Sequence, residues 1–102
     1  MAEQRRSNRR DGAGSQRLSA RDAVVQVRRQ FPSLLGRPIE SVLGVERADN
    51  DEWQVTVQVI ELERIPRSTD VLGAYSVTVD KEGELLGYHR RRRYFRSQAD
   101  QD

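Results

Sequence analysis

One stretch constrains this chain more than any other: from Trp53 to Leu62, Trp53, Val55, Val57 and Val59 alternate with Gln54, Thr56 and Gln58. A period of two is the signature of a strand with one face buried and the other wet. Such a strand is not stable alone, so the chain must build a sheet and cover its apolar face.

The flanking sequence supplies both. Ile39 to Ala48, interrupted by Gly44, reads as a preceding strand, and Asp49-Asn50-Asp51-Glu52 offers turn chemistry between the two. A third strand runs from about Val71 to Asp80, with Tyr75, Val77 and Val79 opposite Ala74, Ser76 and Thr78. Asp80-Lys81-Glu82-Gly83 fits a type I turn closed by a glycine at left-handed φ, leading to a fourth strand from Leu85 to about Tyr94. Connections this short force neighbouring strands to be antiparallel, so the sheet is a meander.

The cover comes from the segment before the strands. Ser19 is a good N-cap and Asp22, three residues on, completes a capping box. Ala20, Ala23, Val24, Val27 and Phe31 fall on one helical face, with Arg21, Arg28 and Arg29 towards the other. Pro32 is expected to stop this helix after about 12 residues, and Gly36 and Pro38 mark the following loop. The expectation is an α+β fold, one N-terminal amphipathic helix packed on a four-stranded antiparallel meander sheet, cystatin-like in outline.

Composition sets the limits of that domain. Residues 1–17 hold almost no large apolar side chain and are expected to form a disordered basic tail. Residues 18–96 form the α+β domain, and the polar residues 97–102 are expected to be loose. The chain carries a net charge of only +2, but residues 1–17 carry +3, residues 18–88 carry −4 and residues 89–102 carry +3. An acidic body thus lies between basic ends.

Several chemistries are excluded early. With no cysteine and the single histidine His89, the chain has no disulfide, no thiol nucleophile and no His/Cys metal cluster. No serine sits in a nucleophile elbow, and no glycine-rich phosphate loop occurs. The carboxylates of Glu61 and Glu63, or of Asp80, Glu82 and Glu84, read as turn and edge residues rather than an acid–base pair. A non-enzymatic protein without a cofactor is expected. No apolar stretch approaches the roughly 20 residues of a membrane span, and the basic start lacks the apolar stretch of a secretory signal. A cytoplasmic location follows as the expectation, without membrane contact.

The most conspicuous local feature is Tyr88-His89-Arg90-Arg91-Arg92-Arg93-Tyr94-Phe95-Arg96. Arginines interleaved with aromatics suit nucleic acid, the guanidinium meeting phosphate and the ring stacking on bases. Strand periodicity offers another reading: Tyr88, Arg90, Arg92 and Tyr94 on one face, His89, Arg91, Arg93 and Phe95 on the other. The hairpin places these arginines beside Asp70 and one strand away from Glu61 and Glu63, where they pair inside the fold or meet an acidic protein. The net-negative body weighs against nucleic acid. Between the second and third strands, Arg64-Ile65-Pro66-Arg67 forms a loop stiffened by proline, which reads either as a rigid connection or as a tip that docks a partner.

Taken in order, Trp53-Gln54-Val55-Thr56-Val57-Gln58-Val59-Ile60-Glu61, Glu63-Arg64-Ile65-Pro66, Asp70-Val71-Leu72, Tyr75-Ser76-Val77, Asp80 with Gly83-Glu84-Leu85, and Tyr88-His89-Arg90 ending in Arg93-Tyr94 resemble the gas vesicle protein GvpO family. The resemblance covers residues 40–96, and the helix more loosely. It implies an accessory, gas vesicle-associated role in forming gas vesicles through contacts with other gas vesicle proteins, the AAA-type ATPase GvpN among them. The partner-binding set it implies is Glu61, Arg64, Pro66, Asp70, Tyr75, Tyr88, Arg90, Arg93 and Tyr94. Gln58 and Ser76 stand where acidic residues are common in that family. The alternative is a nucleic-acid-binding regulator of gas vesicle gene expression, using the basic tail and the Arg90–Arg93 strand.

Overall fold

The computed structural model describes residues 18–99; the expected tail, residues 1–17, lies outside them. Helix α1 (Ala20–Leu35) precedes strands β1 (Ile39–Arg47), β2 (Trp53–Leu62), β3 (Val71–Val79) and β4 (Leu85–Phe95). All neighbours pair antiparallel in the order β1-β2-β3-β4, the expected meander. A four-residue helical turn, α2 (Arg96–Ala99), follows β4 and runs into the segment 97–102 expected to be loose.

Both ends of α1 are set by local chemistry. The Ser19 side chain accepts from the Asp22 backbone N–H at 3.0 Å, while the Asp22 carboxylate accepts from the Ser19 N–H at 3.3 Å. The far end differs from the sequence expectation, because the helix runs through Pro32 to Leu35. Proline this late forfeits one backbone bond, whereas the added turn brings Leu35 onto the core. Gly36, at φ 81°, then ends it by donating its N–H to the Pro32 carbonyl at 2.7 Å.

Ala23, Val27 and Phe31 of α1 pack on Val55, Val57 and Val59 of β2 and Tyr75, Val77 and Val79 of β3. These are the residues that the two periodicities select. Trp53 donates its Nε1–H to the Leu18 carbonyl at 2.9 Å, tying the start of α1 to β2. At the other hairpin Gly83 takes φ 94°, and Gln30 of α1 donates to its carbonyl at 2.9 Å. The Asp80 carboxylate closes that turn by accepting from the N–H groups of Glu82 and Glu84.

Strand β4 departs from strict alternation. Ala74 lies opposite Arg92 and Tyr75 opposite Arg90, so Arg91 is an extra, unpaired residue. This bulge reverses the alternation beyond it. Tyr88, Arg90, Arg93 and Phe95 pair with Val77, Tyr75, Gly73 and Val71, while His89, Arg92 and Tyr94 pair with Ser76, Ala74 and Leu72. The expected grouping of Tyr88 and Arg90 with Arg92 and Tyr94 is therefore corrected: Arg93, not Arg92, shares the face of Arg90.

Candidate functional site

The sheet ends, at the β2–β3 loop, in two polar networks, one on each face. Each is organised by a carboxylate taken almost wholly out of water, and such a group requires charged or hydrogen-bonding partners.

On the helix side the carboxylate is Glu61. It is the extra residue of a second bulge, between the pairs Ile60–Leu72 and Leu62–Val71. Its side chain is 7% exposed. Oε2 accepts from the Tyr75 hydroxyl at 2.7 Å and from Arg90 Nε at 3.2 Å, and Oε1 forms an ion pair with Arg93 Nε at 3.0 Å. The bulge at Arg91 is what lets Arg90 and Arg93 converge on one acid. Gly73 makes the room: a Cβ there would lie 2.2 Å from Glu61 Oε2. The Tyr75 ring continues into the core, with its centroid 5.8 Å from Phe31, and Tyr88 stands edge-on to Phe31 at 5.1 Å. Burial, reinforced by the hydrogen bond to Glu61, holds the Tyr75 hydroxyl above its ordinary pKa.

Asp70, whose side chain is 2% exposed, organises the second network. Oδ1 accepts from the Arg64 backbone N–H at 2.7 Å, and Oδ2 accepts from Arg96 Nε at 3.2 Å and Nη2 at 3.1 Å. Chiefly the Arg64 N–H, and then Arg96, hold this carboxyl below the usual range against the opposing effect of burial. Arg96 also reaches Glu40 at 2.8 Å. Glu40 in turn accepts from Gln58 Nε2 at 3.1 Å, and the Tyr94 hydroxyl donates to Gln58 Oε1. Five positions, on β1, β2, β4, α2 and the loop before β3, are thus linked across the face away from α1.

The structure places the nine residues singled out by sequence as follows. Glu61, Tyr75, Arg90 and Arg93 form the first network, with Tyr88 packed beside it. Asp70 and Tyr94 belong to the second. Arg64 gives its backbone to Asp70, while its exposed side chain has no ion-pair partner among the described residues. Pro66 follows a cis peptide bond, and its carbonyl accepts from the Thr69 N–H at 3.0 Å and hydroxyl at 2.7 Å. Sequence reasoning missed Glu40, Gln58 and Arg96 as network members, and Gly73 as the space for Glu61. Only Gly73, a glycine inside a strand pattern, carried a usable signal.

Around the loop the carboxylates of Glu61 and Asp70 lie inside, while Glu63 and the guanidinium groups of Arg90 and Arg93 lie outside. Arg90 and Arg93 keep 47% and 55% of their side chains exposed. Among the described residues no group of three or more His, Asp or Glu side chains could hold a metal ion. None of the described helices is long and apolar enough to cross a membrane.

Comparison with known proteins assigns the chain to a family. The model of the gas vesicle synthesis protein GvpO family matches residues 5–100. The chain belongs to the GvpO family. It is 44% identical to gas vesicle protein O of Streptomyces sp. (strain CB03234) over 71 residues, which is 70% of this chain and 55% of that protein. Gas vesicle protein O of Haloferax mediterranei is 33% identical over 75 residues, covering 74% of this chain and 54% of the relative. Gas vesicle protein O1 of Halobacterium salinarum is 33% identical over 76 residues, covering 74% and 62%. The chain thus spans little more than half the length of the GvpO relatives it matches. No solved structure matches it.

Proposed function

We propose that the protein acts in gas vesicle formation as a non-enzymatic accessory factor, contacting other gas vesicle proteins through the end of the sheet built around Glu61 and Asp70. Membership in the GvpO family supports the process. The observation that carries the contact surface is the outward placement of Arg90 and Arg93 around a buried Glu61. A carboxylate with 7% exposure neutralises the two cations enough to hold them in place, yet leaves half of each side chain on the surface. Oriented guanidinium groups of this kind lose little entropy on meeting a carboxylate partner.

The AAA-type ATPase GvpN is the first partner to test, followed by the vesicle shell proteins. Tagged wild-type protein co-expressed with these proteins is expected to retain at least one of them. Arg90→Glu combined with Arg93→Glu is expected to abolish that retention. Absence of any captured gas vesicle protein, or unchanged capture by the double variant, would count against this surface. A nucleic-acid regulator instead predicts an electrophoretic shift of DNA or RNA that weakens steeply with salt.

A further inference from the structure

Beside the Arg93 guanidinium the surface turns apolar. Leu62, Val71 and Phe95 line a cleft of about 340 Å³, bordered by Arg64, Arg93 and Gln98. Leu62 and Phe95 are each about half exposed, at 46% and 48%, although both are large apolar residues at strand ends. Ile65, fully exposed on the adjoining loop, extends the apolar surface past Arg64. Apolar side chains grouped around a concavity and rimmed by charge mark an interaction site more often than a plain surface.

The charges say what kind of partner fits. The nearby acids Glu61 and Asp70 turn their carboxylates inward, where arginines already occupy them, and Glu63, exposed on the adjoining loop, does not line this cleft. Arg93 meets Glu61 through Nε and stays half exposed, and the Arg64 side chain has no partner among the described residues. The rim is therefore cationic over an aliphatic and aromatic floor. Residues 1–17, with a net charge of +3, do not suit a cationic rim, and residues 100–102 bear no apolar side chain for its floor.

Resting on the protein-contact reading above, we propose that this cleft docks an acidic amphipathic segment of a partner protein. Apolar side chains of that segment seat on Leu62, Val71 and Phe95, and carboxylates on the same segment meet Arg64 and Arg93. Leu62 and Val71 argue for a protein occupant over nucleic acid, because aliphatic side chains offer a base no stacking face and phosphate no donor. The two arginines would fix orientation, while the apolar floor supplies most of the affinity.

The test uses the full chain and three labelled 16-residue peptides, read by fluorescence anisotropy. One places Leu and Glu at helical amphipathic spacing, the second scrambles that sequence, and the third replaces every Glu by Lys. Only the first is expected to bind, and Arg64→Glu and Phe95→Asp are each expected to weaken it about tenfold or more, with unchanged circular dichroism. Arg64→Glu removes no contact made by the side chain, so it keeps the test valid if Phe95→Asp misfolds. Failure of the first peptide to bind, equal binding of the scrambled or Lys peptide, or full affinity in Arg64→Glu would overturn the proposal. So would preferential binding of a single-stranded oligonucleotide at this site. Retention of gas vesicle proteins by Arg64→Glu would sink the cleft while leaving the wider function standing; failure of wild type to retain any would sink that function itself.

Discussion

Glu61 and Asp70 are both buried carboxylates at one end of one sheet, and they serve different ends. Asp70 is held by a backbone N–H and by Arg96, whose own side chain is only 17% exposed. The hydrogen-bonded groups of that contact face inward, and only the exposed Arg67, a looser ion pair at 3.9 Å, reaches it from solvent, so the network closes the β2–β3 loop onto α2. Glu61 is held by a tyrosine hydroxyl and by two arginines with half of their side chains in solvent. The same chemistry locks a loop in one case and presents a charged surface in the other. What separates the two is the exposure of the hydrogen-bonded arginines, rather than the burial of the acid.

That contrast can be broken most forcefully at Asp70. Asp70→Asn removes one of the two carboxylates that hold Arg96, leaving only Glu40, and weakens the acceptor for Arg64 N–H, so it should cause the largest drop in melting temperature among these substitutions. Its pH dependence sharpens the point. A carboxyl whose folded pKa is depressed contributes stability that is fully present above the unfolded value, near pH 4, and that is lost as pH falls through the folded value. Thermal unfolding followed by circular dichroism should therefore show wild type losing stability below about pH 4 more steeply than Asp70→Asn. Parallel pH profiles for the two proteins would show that Asp70 is not the lock described.

The Glu61 side breaks more gently. Gly73→Ala drives a Cβ into the carboxylate, which must swing away from Tyr75, Arg90 and Arg93. The expected cost is about 1–3 kcal/mol, measured by urea unfolding. Tyr75→Phe removes the hydroxyl alone and should cost about 1 kcal/mol. Because the Tyr75 pKa is raised in the folded protein, its contribution is present below about pH 10 and is lost as pH rises through the folded value. Ultraviolet titration should accordingly find a tyrosine phase above the ordinary phenol range, and Tyr75→Phe should remove that late phase.

Much of this was legible in the residues, for identifiable reasons. The alternation from Trp53 to Val59, the Ser19–Asp22 box and the Asp80–Gly83 turn are local signals, and the structure carries each of them. Pro32 misled because a proline rule describes the helix backbone alone, while Leu35 gains burial one turn later. The partners of Glu61 were half visible, since a meander brings the arginine strand near the end of β2. Their sidedness was not: one extra residue at Arg91 reverses every side chain beyond it, and no residue type there announces a bulge. Glu40 lies near the start of β1 and Arg96 just past β4, and only the pairing of all four strands brings them within 2.8 Å.

The smallest expected effect on stability is the most telling for function. Arg93→Ala removes an ion pair whose cation is more than half exposed, so unfolding free energy should move by no more than about 0.5–1 kcal/mol. If the Glu61 network served only the fold, the variant would be nearly silent in every assay, since Arg90 and Tyr75 still hold the acid. If the network presents Arg93 outward, the same variant should lose partner capture in the co-expression assay while its melting curve stays close to wild type. Arg93→Lys sharpens the reading further: it keeps the charge but not the planar fork, and should recover capture only in part. Full capture by Arg93→Ala would place Glu61 beside Asp70 as a second internal lock and erase the distinction between the two networks.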